Sequence, residues 1–247
     1  MQGLLVRIGI DQAYGQWNAP VDPDTMECVY VPIPEKDGTV FQPGMERTYQ
    51  NVMPALENFA ERHGFDLRQD LKMPHDLPQR PLHLDPDFDK LTYGDNGLRR
   101  GKGIHGLGNG DVLLFYGGLR PIRPCGQNLI YALIGLYVIQ EVVLLKNIPE
   151  SRWDENAHTR KGMHGLDDVI VRAIPEISGR LKRCIPIGEW RNRAYRVRED
   201  ILGAWGGISV QDGYIQRSMV PPAFLDTDRL YSWFQQLNPI LLQSNFA

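Results

Sequence analysis

Leu129-Ile130-Tyr131-Ala132-Leu133-Ile134-Gly135-Leu136-Tyr137-Val138-Ile139-Gln140-Glu141-Val142-Val143-Leu144-Leu145 is the most apolar run of the chain, and whether it forms a membrane helix or a sheet decides the fold. A spanning helix needs about 20 apolar residues. The run falls short of that, Gln140 and Glu141 interrupt it, and its Val, Ile and Tyr favour pleated, packed surfaces. With Gly135 near the middle, it predicts one long or two successive buried strands. Upstream, Gly108-Asn109-Gly110-Asp111 reads as a turn into Val112-Leu113-Leu114-Phe115-Tyr116, a strand that Gly117-Gly118 is expected to end. Further strands are predicted at residues 4–10, 28–32, 168–173 and 194–197.

Between residues 45 and 63, Tyr49, Val52, Met53, Leu56, Phe59 and Ala60 recur at three and four, the mark of one helix face. Pro54 fits its first turn or a kink, and Gly64 stops it. A second helix is announced by Asp226 or Thr227 as N-cap, with Leu230, Trp233, Phe234, Leu237 and Leu241 as its apolar stripe and Pro239 bending its end. Residues 65–110 are irregular and rich in Pro and Gly, a length that compact domains keep for function. No repeat and no low-complexity linker divides the 247 residues. The expectation is one α+β domain, residues 1–247, with a mixed or barrel-like β-sheet core flanked by a few helices.

Charged and apolar fractions are those of an ordinary globular protein, which excludes disorder and fibrous classes. Cys28, Cys125 and Cys184 stand far apart with no CxxC pair and no Cys-His zinc spacing, so neither a disulfide framework nor a zinc finger is supported. The first residues lack the pattern of a signal peptide, and a cytoplasmic location without membrane attachment is expected.

The net charge of −3 conceals an asymmetry. Up to Leu98 there are 16 Asp+Glu against 8 Lys+Arg; beyond it, 14 against 19. Arg172, Arg180, Lys182, Arg183, Arg191, Arg193, Arg196 and Arg198 face only Glu176 and Glu189 in their stretch. Trp190 and Tyr195 lie among them. Arginine forks and aromatic faces suit phosphate and bases, although a solvated surface paired with the acidic half explains the same charges.

The densest polar stretch is His83-Leu84-Asp85-Pro86-Asp87-Phe88-Asp89-Lys90-Leu91-Thr92-Tyr93-Gly94-Asp95. Carboxylates so crowded raise one another's pKa or call for a cation; a solvated acidic loop is the plain alternative. Asp85, Asp87 and Asp95 are candidate ligands for a divalent cation such as Mg or Mn, or candidate acid and base groups. Asp11, closing the first strand, is a fourth candidate, and His83 can ligate or carry a proton. His105, His158 and His164 read as loop or core hydrogen-bonding residues, although His158 beside Arg160, Lys161 and His164 could equally bind an anion. A P-loop, a Rossmann glycine turn, a GxSxG elbow and an HExxH helix are absent from the sequence. An EF-hand beginning at Asp85 fails at Lys90, where glycine is needed, and at Asn96, where glutamate is needed.

The opening Leu4-Leu5-Val6-Arg7-Ile8-Gly9-Ile10-Asp11-Gln12-Ala13-Tyr14-Gly15-Gln16-Trp17-Asn18-Ala19-Pro20, then Tyr30-Val31-Pro32-Ile33-Pro34-Glu35, resembles the third nucleotide-modification-associated domain family. The blocks His83 to Phe88, Thr92 to Asp95, Gly110 to Leu119 and Tyr214-Ile215-Gln216-Arg217 follow in that family's order. The family takes its name from systems of bacteria, archaea and phages that modify DNA bases, and the name implies no reaction. The resemblance maps polar motif residues onto Asp11, Gln12, Asp85, Asp87, Tyr93, Asp95, Asp111, Tyr116, Gln216 and Arg217. A weaker likeness, a Gly-Asp turn entering an apolar Phe-Tyr strand, is to PUA-like and EVE-like barrels that bind modified bases.

Three functions stay open. One is an enzyme acting on a nucleotide or DNA base, with Asp11, Asp85, Asp87 and Asp95 as catalytic or metal residues and Gln12, Trp17, Tyr93, Tyr116, Arg172, Arg191, Arg193, Gln216 and Arg217 as nucleotide or nucleic-acid contacts. The others are a reader that stacks a modified base on Trp17, Tyr93 or Tyr116 without chemistry, and a metal-dependent nuclease of a defence system. Nucleic acid or nucleotide, and other proteins of a DNA-modification system, are the expected partners.

Overall fold

The computed structural model describes residues 1–96, 103–163, 165, 167–217 and 220–246. His164, and Gly101-Lys102 of the glycine-rich stretch, lie outside the described residues. In chain order the strands are β1 (Gly3–Arg7), β2 (Pro20–Val21), β3 (Ile33–Pro34), β4 (Leu82–His83), β5 (Thr92–Asp95), β6 (Val112–Pro121), β7 (Ile130–Leu144), β8 (Val169–Ala173), β9 (Gly179–Pro186), β10 (Gly188–Arg191), β11 (Ala194–Val197) and β12 (Leu241–Leu242). The helices are α1 (Met53–His63), α2 (Glu199–Trp205) and α3 (Thr227–Gln236).

The apolar run is one 15-residue strand, β7, that serves two partners in succession. Its first half pairs with β9 and its second half with β8, and register shifts near Gly135 and Gln140 mark the change. On its other edge it pairs antiparallel with β6, and β6 pairs parallel with β1. The main path is β1-β6-β7-β8-β5, mixed in direction, with β2, β9 and β12 attached beside it. This is an α+β fold. No helix among the described residues is long and apolar enough to cross a membrane.

Both faces of the sheet are covered, which is why β6 and β7 read as unbroken apolar runs rather than as alternation. Leu113 and Phe115 of β6, with Ala132, Ile134 and Tyr137 of β7, join Leu56 and Phe59 of α1 and Tyr30 and Phe88 in one core. Leu114, Tyr116, Leu133 and Leu136 join Ile201 and Trp205 of α2 and Leu230 and Phe234 of α3 in another.

Several local expectations need correction. Gly117-Gly118 does not end β6, which continues to Pro121. A side chain at Gly117 would sit 2.9 Å from Ile134 and 3.0 Å from the Ile8 carbonyl, so the glycine there lets neighbouring elements close in rather than turning the chain. Residues 28–32 are buried but form only an isolated bridge, Cys28 with Val21, and the Val31 carbonyl accepts from Ile10 N–H. The first helix starts later than residue 45, with Pro54 in its first turn, and stops on Gly64 at φ 67°. α3 is capped by Asp226, as expected. We expect one cooperative unfolding transition, followed alike by far-UV circular dichroism and tryptophan fluorescence, because one sheet walls both cores. Limited proteolysis that released two stable folded fragments would contradict it.

Candidate functional site

β5, at the edge of the main sheet, and β4, paired with β3 in a two-stranded sheet of its own, carry the polar stretch. β5 pairs with β8, and the loop between β7 and β8 folds back over it, bringing residues 156–161 against residues 83–95. The result is a cleft of about 350 Å³ whose lining includes Asp11, Glu35, His83, Asp85, Tyr93, Asp95, His158 and Lys161.

At its floor three side chains converge. Asp85 Oδ1 accepts hydrogen bonds from Gly94 N–H and Asn156 Nδ2, each 2.8 Å. That leaves Oδ2 facing His83 Nε2 at 3.9 Å and His158 Nε2 at 3.8 Å. The imidazoles meet edge to face with centroids 4.9 Å apart, and the three ligand atoms lie within 4.8 Å of one another. Separations of 3.8–3.9 Å are too long for hydrogen bonds. A carboxylate accepts and cannot donate, so His83 Nδ1–H donates to Glu35 Oε2 at 2.8 Å, and in the neutral ring the Nε2 lone pair is turned toward Asp85. Lys161 Nζ holds the other Glu35 oxygen at 3.0 Å.

The electrostatics fit that arrangement. Burial works to raise the Glu35 pKa, but the His83 hydrogen bond and the His83 and Lys161 charges bring it down to about 2. Burial lowers the His83 pKa despite Glu35, and burial with the neighbouring His83 and Lys161 charges pushes His158 well below the usual imidazole range. Burial, with Asp95 adding to it, holds the Asp85 carboxyl well above the usual range against the bonds from Asn156 and Gly94. Two imidazoles and one buried carboxyl so placed could together hold a metal ion. A carboxylate behind a ligating histidine is a common support of metal centres.

The structure separates the aspartates that the sequence groups. Asp85 and Asp95 line the cleft, and Asp95 accepts from Tyr93 OH at 3.1 Å and from Asn96 N–H. Asp87 does not join them. It is 1 % exposed, ion-paired to Arg160 at 2.6 Å, and bonded to Asn245 Nδ2 at 2.9 Å. Asn245 also accepts from Phe88 N–H and donates its own N–H to Asp89, so it braces the whole turn. Of the three aspartates only Asp85 stands with other ligand-type atoms among the described residues, and its neighbours there are His83 and His158 rather than Asp87 and Asp95. Asp11 lines the cleft, but its oxygens take Arg7 Nη2 and the N–H groups of Ala13 and Tyr14, holding the turn that follows β1.

The aromatic and basic candidates are placed as follows. Trp17 is buried in the core with its indole N–H on the Leu71 carbonyl, and Tyr116 is buried with its hydroxyl on the Ile215 carbonyl, so neither face is open to a base. Tyr93 is at the cleft. Gln12 is exposed, bonded to the Gln16 carbonyl outside the cleft lining. Gln216 accepts from Tyr195 N–H and, through its carbonyl, from Arg7; Arg217 is exposed. Asp111 fastens the turn before β6 through Gln2 and Gly108 N–H groups. Arg172 is paired with Glu141 and Glu155, Arg191 with Glu189, Glu199 and Asp212, and Arg196 with Asp212, while Arg193 is exposed. With Arg198 on Asp200, four of the eight cations of that stretch are thus paired within the fold, and Lys182, Arg183 and Arg193 are exposed.

Sequence reasoning did not place His158 beside His83 and Asp85, nor Glu35, Asn156 and Lys161 around them. The one local signal for His158, Asn156 and Lys161 is the dense polar run Asn156-Ala157-His158-Thr159-Arg160-Lys161.

A model of the family described as nucleotide modification associated domain 3 matches residues 2–200. No curated protein and no solved structure matches.

Proposed function

We propose, because this chain belongs to the nucleotide modification associated domain 3 family, that it is a metal-dependent enzyme modifying a nucleotide or a nucleic-acid base. The observation that carries this reading is the convergence of His83 Nε2, Asp85 Oδ2 and His158 Nε2 on one point at the floor of the cleft. Two imidazoles with one carboxylate suit zinc, iron or manganese better than magnesium, which prefers an all-oxygen shell. Such an ion polarises a substrate oxygen or lowers the pKa of bound water. Around it the chain's own groups have separate tasks: Glu35 fixes the His83 tautomer, Asn156 and Gly94 orient Asp85, and the Tyr93–Asp95 pair offers a hydrogen-bonding group to whatever enters.

A reader without chemistry has less support, since Trp17 and Tyr116 are in the cores. Calorimetric titration with zinc, manganese and anaerobic ferrous ion tests the centre, and mass spectrometry of nucleosides from treated DNA and nucleotide pools tests the reaction. Binding by the wild type that His83→Ala and His158→Ala each abolish is the expected result. Binding indifferent to both substitutions overturns the reading, and cut strands with unaltered nucleosides would turn it into a nuclease. Glu35→Gln, which preserves shape, is expected to weaken metal binding by about 10–100-fold with the fold intact by circular dichroism.

A further inference from the structure

Three of the four carboxylates in the cleft lining have cationic partners once the metal reading above is accepted. Arg7 serves Asp11, Lys161 serves Glu35, and the ion serves Asp85; Asp95 is held by Tyr93 OH and Asn96 N–H. Lys36 remains: it lines the cleft, is exposed, and among the described residues has no carboxylate within ion-pair distance. Tyr14 is 47 % exposed although it too lines the cleft. The segments that carry the two pack against each other. Asp11 Oδ1 accepts from Ala13 and Tyr14 N–H and fixes the Tyr14 turn, and Gly15 packs so closely on Ile10 and Pro34 that a Cβ there would lie 3.2 Å from Pro34 Cδ, two residues before Lys36.

An exposed aromatic face, an uncommitted ammonium and a recessed ligand set make a recognisable sequence of contacts. We propose that the mouth admits one unpaired nucleotide, its base stacked on Tyr14, its phosphate on Lys36, and the base edge directed to His83, Asp85 and His158. The inference rests on the metal reading and adds to it the form of the substrate. The ligand side chains are only 12 %, 4 % and 15 % exposed, at the floor of a cleft of about 350 Å³, near the lower limit of small-molecule sites. A base stacked in a duplex cannot descend that far, so the nucleotide arrives free or turned out of its strand.

The test uses the full chain loaded with the metal it binds, and as probes the four 5′-deoxynucleoside monophosphates, their nucleosides, a 12-nucleotide single strand and its duplex. Lys36→Ala is expected to weaken monophosphates about tenfold and leave nucleosides nearly unchanged, since it removes a charge-assisted contact to phosphate alone. Tyr14→Ala is expected to weaken both about tenfold, with Tyr14→Phe restoring them. Tighter binding of the single strand than of the duplex indicates a base turned out of its strand, and binding of monophosphates alone indicates a free pool. Duplex binding as tight as single-strand binding, or a Lys36→Ala loss shared equally by nucleosides, overturns the proposal. Metal titration of each variant keeps the two readings apart: a loaded protein that binds none of the probes refutes the nucleotide mouth, and a wild type that binds no metal refutes the centre beneath it.

Discussion

Replacing Asp87 with alanine is expected to lower the stability of the protein by about 3–5 kcal/mol, the cost of breaking a buried ion pair from one side. Arg160 would be left with its side chain 5 % exposed and its charge unmatched, and its Nη1 already lacks a hydrogen-bond partner among the described residues. Asp87 also accepts from Asn245 and from Asp89 and Lys90 N–H, so the turn loses its staples together with its charge. Urea unfolding of Asp87→Ala beside Arg160→Met and the double variant measures this. The double variant should recover part of the loss, because it removes both charges. A loss under about 1 kcal/mol would return Asp87 to the list of groups kept for chemistry.

Gly94→Ala carries the second large effect, and it falls on the site. A Cβ at this position would lie 2.6 Å from Asn156 Oδ1 and closer still to the His158 ring. Asn156 is the residue that orients Asp85, so one methyl group would disturb Asp85 and His158 together. The expected result is a metal affinity reduced about 100-fold or more, with a stability cost of about 1–3 kcal/mol for overpacking. Zinc titration and thermal melts of the variant check both. Unchanged affinity would show that His158 is not held where the ion binds.

The sheet was legible because its evidence is local. The run from Leu129 to Leu145 carries its own composition, and the Asp226 cap stands directly before its helix. What periodicity could not show is that β7 exchanges β9 for β8 midway, since partner choice depends on strands some 30 to 50 residues downstream. β9 and α2 were missed for a related reason: Lys182 and Arg183 interrupt β9, and Gly203 sits inside a helix of seven residues. At the site, the crowding around Asp85 was visible as charge density, but density could not tell which carboxylate faces inward. That was settled by Arg160 and Asn245, which claim Asp87. The nearness of His158 to His83 and Asp85 was not legible because only the folding of the β7–β8 loop over β5 brings them together.

Asn245 has a further consequence for the order of events at the ribosome. The turn at Asp87 is synthesised 158 residues before the side chain that braces it. At about 5–20 residues per second, the emerging chain spends on the order of ten seconds or more with His83 and Asp85 present and the brace still unmade. Until Asn245 is made, Asp87 and the Phe88 N–H lack the side chain that joins them, so the turn beside His83 and Asp85 is completed only by a residue added long after it.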